Sequence, residues 1–389
     1  MDGRISRYRI PDHLLYGFGI AAIGGPLAII AIYFFTTTYL AGQYTIYAIM
    51  LGVLAFIAPL AVWYRYSKKI ASSGGLYTFV KEAVGERIAK VQGWIWIISY
   101  FLYLPYTVVY ISYQLVPAIF SNAAAYLPFI DIGITALVIG LMLLSFKKVL
   151  YFIFATAIVQ LLIIAFIVIM MLPGAAASGF AAGQTGYGAG IPAFANGTLQ
   201  TPLLFLCISL VLFLGGEAKG GARSMRKALV IPFAIVAVFF ILGSMALIGT
   251  TSQVAGANFP IFQILNGSRL AYAVALLTMI SIIDLVVIEY TAITRLAYSM
   301  LGIGLDRSIM AVALLFVAFS LAALLNPNIF YYYAWNISDG ALYLSLLMAF
   351  VAYPFFARRG GRLGGIDILI ASVASALMLY GLYTVVIYL

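Results

Sequence analysis

The chain has 389 residues, of which 65% are hydrophobic and 8% are charged, with a formal net charge of +10. A soluble globular protein is about half apolar and about a quarter charged, so this composition excludes a purely soluble fold and requires surface that faces lipid. The chain has one cysteine, Cys207, and one histidine, His13. An internal disulfide and a His/Cys zinc site are therefore excluded, as is a Ser-His-Asp hydrolase unless His13 folds back into the membrane.

Apolar runs long enough to cross a bilayer recur from end to end, and they predict an all-α polytopic membrane protein with about eleven transmembrane helices. The predicted spans are 16–36, 44–64, 92–118, 129–146, 149–172, 201–217, 229–250, 268–291, 308–326, 333–356 and 366–388. The first run is too long for the core of a signal peptide, so we expect it to remain as a span. The sixth span is short.

The basic residues lie in alternate connections. Of the 21 Lys and Arg residues, all except Arg269 precede the first span or lie in the connections after the second, fourth, sixth, eighth and tenth spans. This asymmetry follows the positive-inside rule and predicts a multi-pass protein of the plasma membrane with a cytoplasmic N-terminus. With an odd number of spans the C-terminus is extracellular. The basic loops thus set topology, and the expected partner is the lipid bilayer rather than a nucleic acid.

Two connections have distinctive sequences. Residues 173–200 are uncharged and rich in Gly and Ala, which predicts a flexible or re-entrant external segment, either a passive linker or a gating lid. Residues 72–90 pair a Gly-Gly break with an amphipathic run. We expect a short helix there, lying along the cytoplasmic face.

Glycine clusters interrupt two spans, at Gly24-Gly25-Pro26 in the first and at Gly215-Gly216 in the sixth. Gly and Pro weaken a helix, and a membrane tolerates the freed backbone groups only where protein, water or ligand meets them. The two spans enter from opposite sides, which is the pattern of an inverted repeat with a central transport site. Close helix packing is the alternative explanation for the glycines.

This pattern divides the chain into a first five-helix repeat with its N-terminal segment (1–172), the external Gly/Ala-rich loop (173–200), a second, inverted five-helix repeat (201–356) and an additional C-terminal helix (357–389). Interrupted helices offer N–H groups to an anion and carbonyl groups to a cation. The residues that we expect to bind a small-molecule substrate are Ile23, Gly24, Gly25, Pro26, Phe213, Leu214, Gly215 and Gly216. Phe213 is the candidate substrate gate.

Four stretches carry a family resemblance: Ile23–Pro26, Phe213–Glu217, the passage from Ser73 to Trp94, and Thr294–Met300. Their order and spacing resemble those of the amino acid–polyamine–organocation (APC) transporter superfamily, which has the LeuT-type five-plus-five fold with discontinuous helices 1 and 6. The resemblance implies a secondary transporter, not an enzyme, that moves amino acids or related amines by alternating access. It implies H⁺ or Na⁺ as the coupling ion and no other cofactor. Pro26 replaces a motif glycine, and Gly220–Arg223 replace the usual acidic and Asn-Pro residues.

Inserting a carboxylate into the middle of a membrane costs about 3 kcal/mol of free energy, so each acidic residue in a span is a candidate for a functional or structural role. Asp284, in the eighth span, is surrounded by apolar residues in the sequence. The resemblance implies that it carries a proton or binds Na⁺ together with backbone carbonyls near Ile20 and Ile23; the alternative is a structural carboxylate. Some proton-coupled relatives have a lysine on helix 5, and the matching residue here, Gln160, cannot ionise.

Two glutamates lie near the predicted cytoplasmic ends of spans. We expect Glu289 to form a salt bridge with Arg295 or with a loop arginine. Glu217 has two interpretations: gating or proton linkage, as the resemblance implies, or a helix end paired with Lys219 or Arg223.

Asp339 is expected to begin the tenth span near water. Tyr100, Tyr103 and Tyr106 share one face of the third span, which either lines a cavity or packs in the core. The sequence also leaves open a membrane enzyme acting on lipid-linked substrates, or a channel or sensor built on a transporter fold. It does not indicate the oligomeric state.

Overall fold

The computed structural model describes residues 9–180, 190–254, 257–265, 268–361 and 363–388. Within these ranges the chain is helical and contains no β-strand. The α-helices are α1 (Asp12–Ala22), α2 (Pro26–Ala28), α3 (Phe34–Ala41), α4 (Thr45–Ala55), α5 (Ile57–Tyr66), α6 (Gly75–Val84), α7 (Glu86–Tyr110), α8 (Val116–Ile119), α9 (Leu127–Leu143), α10 (Phe146–Ala177), α11 (Gly190–Leu203), α12 (Gly221–Leu247), α13 (Pro260–Ile264), α14 (Arg269–Leu301), α15 (Leu305–Ala323), α16 (Pro327–Arg359) and α17 (Gly365–Tyr388). Two π-helical turns, Ile29–Tyr33 and Ile111–Leu115, and 3-10 helices at Gly42–Tyr44, Ala124–Tyr126, Leu206–Leu214 and Ile248–Val254 connect some of them.

In the part of the chain that the structure describes, 10 helical stretches are long and apolar enough to cross a membrane. The first of these, Asp12–Tyr66, has 55 residues, and as a continuous helix it would be about 80 Å long, more than twice a hydrocarbon layer. Its contacts with α12 are Gly19 with Pro232, Ile30 with Gly243, Phe56 with Phe233 and Tyr64 with Arg226. As the first stretch is followed from Gly19 to Tyr64, its contact residues on α12 move from Pro232 to Gly243 and then return to Arg226. The stretch therefore crosses the bundle twice, in opposite directions. The all-helical multi-pass fold is confirmed, whereas the count of eleven spans stays a prediction.

Basic residues from distant connections meet at one end of the bundle. Arg9 donates to the Gly216 carbonyl oxygen and Arg359 to the Glu82 carbonyl oxygen. The loop at residues 71–75 joins these two contacts, because it packs against Gly216 and leads into α6. We call this end the basic face and the other end the opposite face.

The external segment 173–200 differs from the expectation. α10 extends to Ala177 and α11 begins at Gly190, so the end of the predicted loop is helical, while residues 181–189 lie outside the described residues. α11 packs closely on α3, since a Cβ atom on Gly197 would lie 2.5 Å from the Ala41 Cβ. The sixth span therefore begins at Gly190 and is longer than predicted.

The helix predicted after the Gly-Gly pair forms as α6 and lies at the basic face, where the Glu82 carbonyl oxygen accepts from Arg359. Its apolar side chains are buried in the protein, among them Leu76, Tyr77, Phe79 and Val80. α6 packs against α7, α16 and the 3-10 helix Leu206–Leu214. The apolar face of an amphipathic helix can be buried equally well against protein or against lipid. The sequence alone therefore did not show which of them covers α6.

Candidate functional site

The first helix is interrupted where its glycine cluster predicts. α1 ends at Ala22, α2 begins at Pro26, and Gly24 and Gly25 between them have φ angles of 57° and 64°. This left-handed region is strained for any residue with a Cβ. A Cβ on Gly25 would also lie 2.3 Å from the Ser281 Oγ on α14. The interruption leaves the last carbonyls of α1 and the first N–H groups of α2 without partners in their own helices.

The second interruption lies earlier in the chain than predicted. α11 ends at Leu203, the chain turns at Leu204, and a 3-10 helix follows from Leu206 to Leu214. The Leu204 carbonyl oxygen lies 3.6 Å from the position that a Cβ on Gly24 would occupy. The two interruptions therefore face each other. The expectation that the sixth span breaks in its middle at Gly215 is wrong in position.

Gly215 and Gly216 have a visible packing role. A Cβ on Gly215 would lie 2.6 Å from the Ser72 backbone nitrogen, and one on Gly216 would lie 2.4 Å from the Ser73 Oγ. These glycines let the end of the sixth span approach the loop before α6, which is the packing alternative that the sequence left open. Their part in substrate binding stays a prediction.

Phe213 and Leu214 are fully buried at the same end of the span. The Phe213 ring packs on Trp96 of α7, with 4.5 Å between ring centroids, and against Gly75. Phe213 therefore lies on the basic-face side of the Leu204 turn rather than beside it, and its role as a substrate gate stays a prediction.

The two interrupted spans run in opposite directions. Ile10, before α1, donates its N–H to the Glu217 carbonyl oxygen at 2.8 Å and accepts from the Lys219 N–H at 3.0 Å. At the far end of the same pair of spans, Gly24 lies beside Leu204. An antiparallel pair is what an inverted repeat requires, although the repeat itself stays a prediction.

Asp284 lies beside the first interruption and is bonded to Gln160. The Gln160 Nε2 donates to the Asp284 Oδ2 at 2.9 Å, and the Ser281 hydroxyl donates to the Gln160 Oε1 at 2.6 Å. Ser281 is also the residue on which Gly25 packs. Asp284 is fully buried, and its Oδ1 has no hydrogen-bond partner. We call Gln160, Ser281 and Asp284 the Asp284 cluster.

The Asp284 cluster leaves one strong acceptor unsatisfied. A buried carboxylate oxygen without a partner is expensive unless a proton or a cation occupies it. Thr156, one turn before Gln160 on α10, also faces Asp284. Of the two backbone carbonyls named for a cation site, that of Ile20 already accepts from the Ile23 N–H at 3.3 Å. The cluster can hold a proton, or a cation with oxygen ligands.

Glu217 pairs with Arg295, and not with Lys219 or Arg223 as expected. The Arg295 Nη2 lies 3.3 Å from the Glu217 Oε1, and both side chains are almost completely buried. The Arg295 guanidinium also lies 4.0 Å from the centroid of the Phe146 ring. A cavity of about 490 Å³ at the basic face is lined by these three residues and by Asp306. This ion pair joins the end of the sixth span to α14.

Glu289 and Asp339 both differ from their expectations. Glu289 is fully buried and neither of its carboxylate oxygens has a hydrogen-bond partner, because Arg295 is engaged by Glu217. Asp339 lies well inside α16, which begins at Pro327, and it accepts from the Trp335 Nε1 at 2.8 Å. The two carboxylates are close enough for their charges to interact.

The same two carboxylates interact electrostatically with Tyr33, Tyr103 and Cys207. These five side chains come from five different membrane-crossing stretches, and we call the region that they share the central chamber. Tyr33, Tyr103, Cys207 and Asp339 each keep partial exposure. On the tyrosine face of the third span, Tyr100 and Tyr106 are buried in the core and Tyr103 is partly exposed. No local signal in the sequence marked Cys207 or Tyr33.

A second cavity, of about 330 Å³, lies at the opposite face and includes Tyr110 and Tyr331 in its lining. Tyr331 stacks on Tyr110 with 5.8 Å between ring centroids, and it makes an edge-on contact with Tyr106 with 5.9 Å between ring centroids. Tyr106 in turn lies 4.8 Å from Tyr103 of the central chamber. A continuous row of tyrosine rings thus leads from this cavity to the chamber.

Two opposed helix interruptions beside a buried, incompletely satisfied carboxylate define a membrane transporter. The family model described as amino acid permease matches residues 17–302, which is more than half of the chain. This protein belongs to the amino acid permease family. No curated protein matches its sequence.

Solved structures with the same fold are transporters. MhsT in complex with L-phenylalanine has a TM-score of 0.65 at 13% identity, covering 96% of this chain and 98% of that one. Mhp1, a nucleobase-cation-symport-1 family transporter with bound bromovinylhydantoin, has a TM-score of 0.58 at 12% identity, covering 98% and 94%. A Na⁺-coupled sialic acid symporter has a TM-score of 0.60 at 14% identity, covering 98% and 91%. The LeuT-type fold is thereby confirmed.

Proposed function

We propose that this protein is a secondary active transporter that moves amino acids or related amines across the plasma membrane by alternating access. H⁺ or Na⁺ acts through Asp284, and the N-terminus is cytoplasmic. An odd number of spans puts the C-terminus outside. The basic face is then the cytoplasmic one, which agrees with the positive-inside rule.

One observation carries this proposal: the Asp284 cluster packs directly on the interruption of the first helix through the contact of Gly25 with Ser281. A proton or cation bound at Asp284 is therefore linked, through Gln160 and Ser281, to the same backbone that faces Leu204 of the other interrupted span. Ion binding and substrate binding can bias one conformational equilibrium when they share such an element.

The similar structures support both halves of the proposal. MhsT was solved with L-phenylalanine, and the sialic acid symporter is Na⁺-coupled. An organic solute and a coupling ion are therefore both compatible with this fold. The ion pair of Glu217 with Arg295 is the part that would open when the site faces the cytoplasm.

The test is uptake by purified protein in proteoliposomes, with a panel of radiolabelled amino acids and amines and with imposed Na⁺ or pH gradients. We expect accumulation of at least one compound to depend on one gradient. Asp284→Asn should reduce that gradient-driven accumulation by at least about tenfold, since the neutral amide has neither a titratable proton nor a negative charge to attract a cation.

Asp131→Asn is the matched control. Asp131 on α9 is also fully buried with both carboxylate oxygens unpartnered, yet it is not part of the Asp284 cluster. Its neutralisation should leave the gradient dependence unchanged. Full gradient dependence in Asp284→Asn would overturn the role of Asp284, and flux that ignores both gradients would indicate a channel.

A further inference from the structure

Glu289 and Asp339 form an acidic pair in the central chamber. Within the described residues, the ion pairs of this protein involve Asp12, Glu86, Glu217 and Asp367, and none reaches Glu289 or Asp339. The carboxylate oxygens of Glu289 also lack any hydrogen-bond partner. A fully buried, unpartnered carboxylate whose charge interacts with that of a second, partly exposed carboxylate, with no basic residue paired to either, is a costly arrangement that a structural role does not explain.

We propose that this pair selects an organic cation, namely an amine without a carboxylate of its own, as the substrate of the central chamber. The inference rests on the proposed transport function and narrows its substrate class. A bound ammonium group supplies the positive charge that the surrounding helices do not. A zwitterionic amino acid would bring a third carboxylate into the same space, where like charges repel.

The remaining wall of the chamber suits an ammonium group as well. Tyr33 and Tyr103 both interact electrostatically with the two carboxylates, and Tyr106 lies next to Tyr103 with 4.8 Å between ring centroids. Aromatic faces attract organic cations by their ring quadrupole. The row of rings from Tyr331 inward leads from the cavity at the opposite face to this pair of carboxylates.

The donor set argues against a metal ion as the cation. Among the residues that the structure describes, no group of three or more His, Cys, Asp and Glu side chains is arranged to hold a metal. The Cys207 thiol is engaged with the Tyr100 hydroxyl, 3.8 Å away. A divalent metal prefers several carboxylate, thiolate or imidazole ligands, and the chamber offers aromatic rings in their place.

Cys207 provides a built-in reporter for this charge. It is the only cysteine of the chain, it is partly exposed, and it interacts electrostatically with both carboxylates. Its labelling rate is measured with a cationic reagent, 2-aminoethyl methanethiosulfonate, and an anionic one, 2-sulfonatoethyl methanethiosulfonate. Each rate is divided by the rate of the same reagent with free 2-mercaptoethanol, so that only the effect of the chamber remains.

We expect the cationic reagent to react about tenfold faster or more, since a charged cleft concentrates counter-ions. Glu289→Gln and Asp339→Asn should each lower this ratio, and the double variant should bring it close to one. Asp131→Asn should leave the ratio unchanged, and Cys207→Ser should abolish labelling. A wild-type ratio of one or below, or no labelling by either reagent, would overturn the proposal.

Protection of Cys207 identifies the class of ligand. We expect 1,4-diaminobutane and butylamine to slow labelling in the wild type, and to lose that effect in Glu289→Gln and Asp339→Asn, while leucine has none. Protection by leucine or by Mn²⁺ that both variants retain would contradict cation selectivity.

The two proposals fail in different ways. Gradient-driven uptake of leucine that survives both neutralising variants would overturn the cation site and leave the transport proposal standing. Protection of Cys207 by amines, without uptake of any compound into proteoliposomes, would overturn transport and leave the cation site standing.

Discussion

Asp284 and Glu217 are both buried carboxylates at interrupted helices, but their partners differ in kind. Glu217 is held by the guanidinium of Arg295, whereas Asp284 is held by the neutral amide of Gln160 and keeps its Oδ1 unpaired. A guanidinium partner favours the ionised form of a carboxylate. A neutral amide supplies no such charge, so the charge of the Asp284 carboxylate depends on whether a proton or a cation is bound to it.

This contrast leads us to propose different tasks for the two sites. The Glu217–Arg295 pair joins the end of the sixth span to α14, while the Asp284 cluster, which contacts Gly25 through Ser281, has an unpaired carboxylate oxygen that can take a proton or a cation. The experiments below are arranged to break or sharpen this division, from the largest expected effect to the smallest.

Gly25→Ala should abolish gradient-driven uptake. The added Cβ would lie 2.3 Å from the Ser281 Oγ and 2.7 Å from its carbonyl oxygen, and φ at this position is positive. The interruption must then move away from the Asp284 cluster. Gly140→Ala on α9 is the control, since nothing lies within 4 Å of its added methyl group. Wild-type uptake by Gly25→Ala would show that this contact does not transmit ion binding.

Glu217→Gln should destabilise the protein by about 3–5 kcal/mol, because it leaves the Arg295 charge buried and uncompensated. The measurement is the free energy of unfolding in detergent. The variant that also carries Arg295→Gln should recover part of the loss, since it removes both charges. Strict additivity of the two substitutions would mean that the ion pair contributes nothing specific.

Gln160→Leu should cost about 1–3 kcal/mol, since it leaves the Asp284 Oδ2 and the Ser281 hydroxyl without partners. It should also shift the ion concentration that gives half-maximal uptake. Gln92→Leu is the matched control, because Gln92 is an equally buried glutamine that bonds only the Ser345 hydroxyl, at 2.8 Å. A shift in ion dependence of the same size in both variants would argue against the Asp284 cluster.

Glu86→Gln should have no measurable effect on the unfolding temperature or on uptake. Glu86 pairs with Lys81 at 3.2 Å and with Lys90 at 3.0 Å, but all three side chains are largely exposed. Exposed ion pairs are screened and contribute little. A loss comparable to that of Glu217→Gln would show that burial is not what distinguishes the two glutamates.

The two helix interruptions show what the sequence can predict. The first was found in place because Gly24 and Gly25 adopt positive φ and Pro26 restarts the helix, all of which are local effects. The turn at Leu204 contains no glycine, and so it left no such signal. The glycines that follow this turn in the sixth span, at 215 and 216, mark a tertiary contact with Ser72 and Ser73 instead.

The partners of the buried charges were less accessible to prediction. Glu289 and Arg295 are close in the sequence, but a separation of six residues puts them about 240° apart around an α-helix and about 9 Å apart along it. Arg295 pairs with Glu217, and the Glu289 carboxylate interacts electrostatically with that of Asp339. Which neighbouring helix receives each side chain is decided by packing that no single stretch of sequence contains.

The 9-residue 3-10 helix Leu206–Leu214 is unusually long for its type. A 3-10 helix rises about 2.0 Å per residue with three residues per turn, against about 1.5 Å and 3.6 for an α-helix. Rewinding this stretch as an α-helix would draw Leu214 towards Phe205 by about 4–5 Å and swing it by about half a turn. A change of helix type within Leu206–Leu214 would therefore both shift and rotate the end of the sixth span that carries Glu217, relative to the turn at Leu204.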